Sequence, residues 1–148
     1  MEDIKNKWDY YDYLRCVPAI IFGCIIFYVS SLSNPFPAGP PRPPDIFELK
    51  VNPNDIMHIC EFALFGFLIA FGFLKKVKSR YVISFAVVYA FLDEVHQYFV
   101  PSRYFDLYDF LLDSIGVIMG FLIYFSLIYI ISRVKKNDGE LYFNNNEQ

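Results

Sequence analysis

The sequence predicts an all-α integral membrane protein, a four-transmembrane-helix bundle with both termini in the cytoplasm. Three observations predict it. Of the 148 residues, 55% are hydrophobic and 20% aromatic, with a mean hydropathy of +0.32; a soluble domain of this length lacks the interior to bury so many large apolar side chains. Four apolar runs approach or exceed the roughly 20 residues that cross a hydrocarbon core. Lys and Arg collect on alternate connections, the bias that sets orientation across a membrane.

Residues 1–15 form a polar and aromatic N-terminal segment that holds Lys5, Lys7 and Arg15. No small-x-small cleavage site precedes the Pro-rich stretch, so the first span is expected to stay as an anchor. That span is CVPAIIFGCIIFYVSSLS, residues 16–33. The connection 34–55, with NPFPAGPPRPPDIFELKVNPN, is Pro-rich; fixed φ and missing donors favour an extended, partly polyproline chain, a spacer or a semi-rigid lid. The second span, IMHICEFALFGFLIAFGFL (56–74), leads to LKKVKSR (74–80), with Lys75, Lys76, Lys78 and Arg80. The third span is YVISFAVVYAFLDEVHQYFV (81–100) and the fourth FLLDSIGVIMGFLIYFSLIYIIS (110–132). Residues 133–148 read as a polar tail, unstructured over NDGELYFNNNEQ, 137–148. The positive-inside rule puts both termini and 74–80 in the cytoplasm, with 34–55 and 101–109 outside. Membrane domain 16–132 is thus flanked by two cytoplasmic segments.

The net charge of −3 carries little about partners, and no basic stripe points to nucleic acid. Cys16, Cys24 and Cys60 all fall in the spans; an odd number without a CxxC pair reads as small apolar filler.

With that orientation the intramembrane polar residues form one layer. Asp55, His58 and Glu61 lie at the outer end of the second helix, Asp93, Glu94, His96 and Gln97 at the outer end of the third. Asp106, Asp109 and Asp113 lie at the outer start of the fourth. At about 100° per residue, Asp106, Asp109, Asp113, Gly116 and Gly120 fall on one stripe. Gly116 and Gly120 make a small-xxx-small pair that lets a neighbouring helix approach below the acids. Asp facing lipid at mid-helix costs about 2.5–3.5 kcal/mol on insertion scales, so these residues are expected to face one another in an acidic, Arg-containing pocket open to the outside.

These residues carry a resemblance. NDIMHICEFALFGFL resembles the D-K-x-x-H-x-x-(E/A)-(Y/F)-x-x-L-G segment of VanZ-like membrane proteins. FLDEVHQYFVPSRYFDLYDFLLDSIGVIMG resembles their D-E-x-x-Q-x-x-x-P-x-R-x-x-x-x-D-x-x-x-N-x-x-G-x-x-x-G core. The match covers about residues 30–125, through Asp55, His58, Glu61, Asp93, Glu94, Gln97, Pro101, Arg103, Asp109, Gly116 and Gly120. Ile56 stands where that family often has Lys, and Asp113 where it usually has Asn, so this site is more acidic. The resemblance implies a multi-pass bacterial membrane protein of the cell envelope, and antibiotic resistance of the teicoplanin type.

Three readings of the polar layer stay open. In the first, Arg103 pairs with Asp106 or Asp109 and His58 with Glu61 or Glu94, fixing helix register and nothing more. In the second, the pocket binds a cationic antibiotic such as a glycopeptide, a lipid head group, a lipid-linked envelope precursor or a partner protein. In the third, the protein is an enzyme on a lipid-linked or phosphate-bearing substrate. His58, Glu61, Asp93, Glu94, Gln97 and Asp109 are then the catalytic candidates, and Arg103, Asp55, Asp106 and Asp113 the substrate-binding ones. One carboxyl of such a cluster can donate a proton while another accepts it, His58 can serve as acid or base, and Arg103 can hold a phosphate through two hydrogen bonds. The cofactor is open: a divalent metal on His58 and the acids is an alternative, with HxxE at 58–61 offering two ligands on one face. Asp113, one turn deeper than Asp109, is expected to tolerate Asn, and Asp109 to need its carboxylate near Arg103.

Overall fold

A computed structural model describes residues 7–33 and 53–145. It is all-helical, with no strand among the described residues: α1 Tyr10–Ser30, α2 Pro53–Phe73, α3 Ser79–Tyr98 and α4 Leu107–Asn145. Most of the Pro-rich connection lies outside the described residues.

Helix α1 starts and ends earlier than the apolar run suggests. Asp9 Oδ1 accepts from Asp12 N at 2.8 Å, and Asp12 Oδ2 accepts from Asp9 N at 3.1 Å. This capping box satisfies two otherwise orphaned donors and starts the helix at Tyr10. Helix α4 runs on to Asn145, where an unstructured tail was expected. RVKK continues the helix without a proline, and Lys and Arg have good helix propensity, so nothing stops the long apolar helix at Ser132.

Helices α1, α2 and α4 are long and apolar enough to cross a membrane. Helix α3 has 20 residues but falls short in apolarity, because Asp93, Glu94, His96 and Gln97 occupy its last turns. Large apolar side chains cover the outside of the bundle, among them Ile20, Phe85, Leu122 and Ile130, each more than half exposed. Such a surface suits lipid rather than water.

The helices alternate in direction. At one end, Lys75 Nζ and Lys76 Nζ reach Asp12 at 2.7 and 3.0 Å. Arg15 Nη2 donates to Phe71 O at 2.8 Å and its guanidinium lies over the Phe71 ring. These bonds hold the start of α1 against the end of α2. At the opposite end, the C-termini of α1 and α3 meet the N-termini of α2 and α4. Between the two ends runs a core of Ile26, Phe62, Ala70, Ala86, Ala90 and Val117, none more than 1% exposed.

The closest seam is between α2 and α4. A Cβ on Gly116 would sit 2.5 Å from Ile59 O, and one on Gly120 would collide with Ala63 O and lie 2.6 Å from Phe67 N. From the other side, a Cβ on Gly66 would sit 2.5 Å from Val117 O. The small-xxx-small stripe is therefore a backbone-to-backbone crossing, and only glycine fits it.

Candidate functional site

The end where α2 and α4 begin holds the polar cluster. Buried polar groups here include Asp55, Asp93, Glu94, Gln97 and Asp113, with Glu94 and Asp113 wholly inaccessible.

Helix α3 delivers Asp93, Glu94 and Gln97 to one face, as their spacing requires. Asp93 Oδ2 accepts from Ser30 Oγ at 2.8 Å and from Gln97 Nε2 at 2.9 Å. Gln97 Nε2 also lies 3.3 Å from Glu94 Oε1. The other Glu94 oxygen, Oε2, accepts from the Asp106 backbone N–H at 3.1 Å.

The connection from α3 to α4 explains the P-x-R step. Val100, Pro101, Ser102 and Arg103 form a turn closed by Arg103 N–H to Val100 O at 3.1 Å, with Ser102 at φ +67°. Proline before a residue of positive φ is the type II pattern. The turn sends Arg103 back over the end of α3, where Nη1 donates to Gln97 Oε1 at 2.6 Å. The expected pairing of Arg103 with Asp106 or Asp109 is replaced by this one. Asp106 instead caps α4, its Oδ1 accepting from Tyr108 N at 2.8 Å.

From α2, His58 turns to α4. Its Nδ1 is 2.9 Å from Asp113 Oδ1, and its Nε2 is 3.8 Å from Asp109 Oδ2. The pairing expected with Glu61 or Glu94 goes to these two aspartates. Asp113, which the sequence reading gave the lesser part, makes the shorter contact from the deeper position. Asp109 touches the imidazole edge nearer the surface. Glu61 lines a cavity of about 30 Å³ together with Ser30, His58, Asp93, Gln97 and Arg103. That volume has room for a water. Asp55 is buried in the first turn of α2, where the helix dipole favours a carboxylate. His96 points away: its ring stacks on Phe27 at 4.3 Å and bonds Ser31 Oγ at 2.9 Å.

Two carboxylate oxygens, Asp93 Oδ1 and Asp113 Oδ2, are buried with no hydrogen-bond partner. His58, Glu94 and Asp113 each offer one ligand atom, and the three atoms lie within 4.8 Å of one another. An imidazole with two carboxylates is a donor set for a divalent first-row ion.

Sequence reasoning missed Ser30 and Asp12. Nothing marks Ser30 over Ser31 or Ser33 until the rotation of α1 is known. Asp12 had a signal, the D-x-x-D spacing of a capping box ahead of an apolar run.

A family model described as VanZ/LLP1 matches residues 20–131. No curated protein and no solved structure matches the chain.

Proposed function

The chain belongs to the VanZ/LLP1 family, and from that premise we propose that it is a four-span protein of the bacterial cytoplasmic membrane whose outer-end polar centre binds a ligand. Helix α3 is the fourth span. Its 20 residues reach about 30 Å at 1.5 Å per residue, and its polar turns face the cluster rather than lipid. Lys75, Lys76, Lys78 and Arg80 orient the α2–α3 connection to the cytoplasm, which puts the cluster at the outer face. The ligand is a polar group of a lipid-linked envelope component or of a glycopeptide, and its capture is how the protein acts in teicoplanin-type tolerance.

One observation carries this reading: Asp93, which lines a small cavity, and Asp113, bonded to the cavity-lining His58, each bury a carboxylate oxygen without a hydrogen-bond partner. A network that served only to fix register would be closed, because an unsatisfied buried acceptor costs about 1–3 kcal/mol. Arg103 borders the cavity with its guanidinium anchored through one nitrogen, Nη1 on Gln97. A planar fork held in that way suits a phosphate or carboxylate.

An enzymatic reading is favoured by one further contact. His58 lies between two carboxylates, Asp113 at 2.9 Å and Asp109 at 3.8 Å, the arrangement that orients an imidazole for proton transfer.

The test is ligand capture. The full chain, purified in nanodiscs of bacterial lipid, is incubated with teicoplanin and with lipid-linked envelope precursor, and bound ligand is measured by mass spectrometry. Retention by the wild type and loss in Arg103→Lys supports the proposal. No retention of either ligand, from well-folded protein, contradicts it.

A further inference from the structure

His58 on α2, Glu94 on α3 and Asp113 on α4 meet at one point from three helices. We propose that they hold one divalent transition ion, of the zinc or manganese class, as the resident group of the centre. The inference rests on reading the centre as a ligand site and names what it holds.

The donor types choose the ion. One imidazole with two carboxylates, and no thiol in the ligand set, favours a borderline cation over a soft one. Calcium asks for six to eight oxygens, and imidazole does not suit it.

The distances allow it. With bonds of about 2.1 Å, neighbouring ligand atoms lie roughly 3.0–3.4 Å apart. His58 Nδ1 and Asp113 Oδ1 are already 2.9 Å apart. A Glu94 oxygen lies within 4.8 Å of one ring nitrogen of His58 and one oxygen of Asp113.

The surroundings fit as well. With Nδ1 on the ion, the N–H of Nε2 faces Asp109 Oδ2, 3.8 Å away. That is the carboxylate–histidine–metal relay that fixes an imidazole tautomer. Glu94 is oriented by Gln97 Nε2 and the Asp106 N–H, and Gln97 in turn by Arg103. Asp113 Oδ2 is wholly buried and has no partner; a bound cation supplies one. Two inaccessible carboxylates beside one imidazole also leave a charge that a dication balances. The cavity of about 30 Å³ at His58 has room for a water as a further ligand.

The experiment uses the full chain in nanodiscs, stripped with a chelator and then loaded separately with Mn²⁺ and Zn²⁺. Bound metal per chain is measured after gel filtration, and the Mn²⁺ sample is read by pulsed EPR. The expected result is about one ion per chain, with nitrogen coupling from a single imidazole. Asp113→Asn should weaken binding at least about tenfold, and His58→Gln should remove the nitrogen coupling. Less than about 0.1 ion per chain in the wild type overturns the inference. So does Mn²⁺ bound without nitrogen coupling, which marks an ion on surface acids, or coupling that survives His58→Gln. The wild-type measurements decide the matter even where a variant fails to accumulate. A metal-free wild type that still captures its envelope ligand removes this inference alone; a metal-loaded protein that captures none removes the functional reading alone.

Discussion

Gly120→Ala perturbs the site from a distance through the α2–α4 seam. The added Cβ collides with Ala63 O, lies 2.6 Å from Phe67 N and 3.0 Å from Ala63 C. All three are backbone atoms, so no rotamer relieves the clash. Restoring ordinary contact requires α2 to recede by roughly 0.8 Å at Phe67 N. Alanine gains about 1 kcal/mol over glycine in helix propensity, while overpacking that moves backbone costs about 1–3 kcal/mol and more. The packing term wins, leaving a net loss of about 1–2 kcal/mol for Ala and more than about 3 kcal/mol for Val. The same recession carries His58 on α2 away from Asp113, which lies on the same α4 stripe roughly 10 Å away. Thermal unfolding in detergent reads the stability, and ligand capture by the surviving fraction reads the site. Met119→Ala, at a side chain facing outward on the same helix, controls for helix effects and should change little. Unaltered melting of both Gly120→Ala and Gly120→Val would refute the close crossing.

Other outcomes follow from the same geometry. Asp12→Ala removes the partner of Lys75 and Lys76 and the Asp9 N–H to Asp12 Oδ2 half of the capping box. The loss is read as a lowered melting temperature in thermal unfolding; an unchanged melting temperature would show that the clamp is idle. In a cysteine-free background, Arg42→Cys should be labelled by an impermeant thiol reagent from outside and Lys78→Cys should not, and the reverse pattern would invert the proposed orientation. Ser30→Ala removes one of two donors to Asp93 Oδ2 and should destabilise the protein by about 1 kcal/mol; a loss no larger than that of an outward-facing serine would remove Ser30 from the network.

Much of this was legible in the sequence. The apolar runs located all four helices, because length and uniform apolarity are strong signals. Alternating charge placed His58, Glu94 and Asp113 at one end without knowledge of any contact, and Gly116 and Gly120 marked the crossing below them. The pairings were not legible. Whether His58 meets Glu61, Glu94 or Asp113 depends on the rotation of α2 against α4, which backbone contacts at Gly66, Gly116 and Gly120 decide. The course of Arg103 depends on the positive φ of Ser102, a conformation that serine does not advertise.

Whether the polar centre works or braces turns on the Glu94 carboxylate. Glu94→Gln tests it most directly, because it keeps the shape and one acceptor oxygen of a wholly buried side chain and removes its charge. Wild type and variant are expressed in one bacterial host, and membrane protein level and teicoplanin tolerance are measured on the same cultures. The expected result is equal protein with tolerance reduced to that of cells lacking the protein. Tolerance that stays above that background in the variant at equal protein, or loss of the protein itself from the membrane, would contradict it.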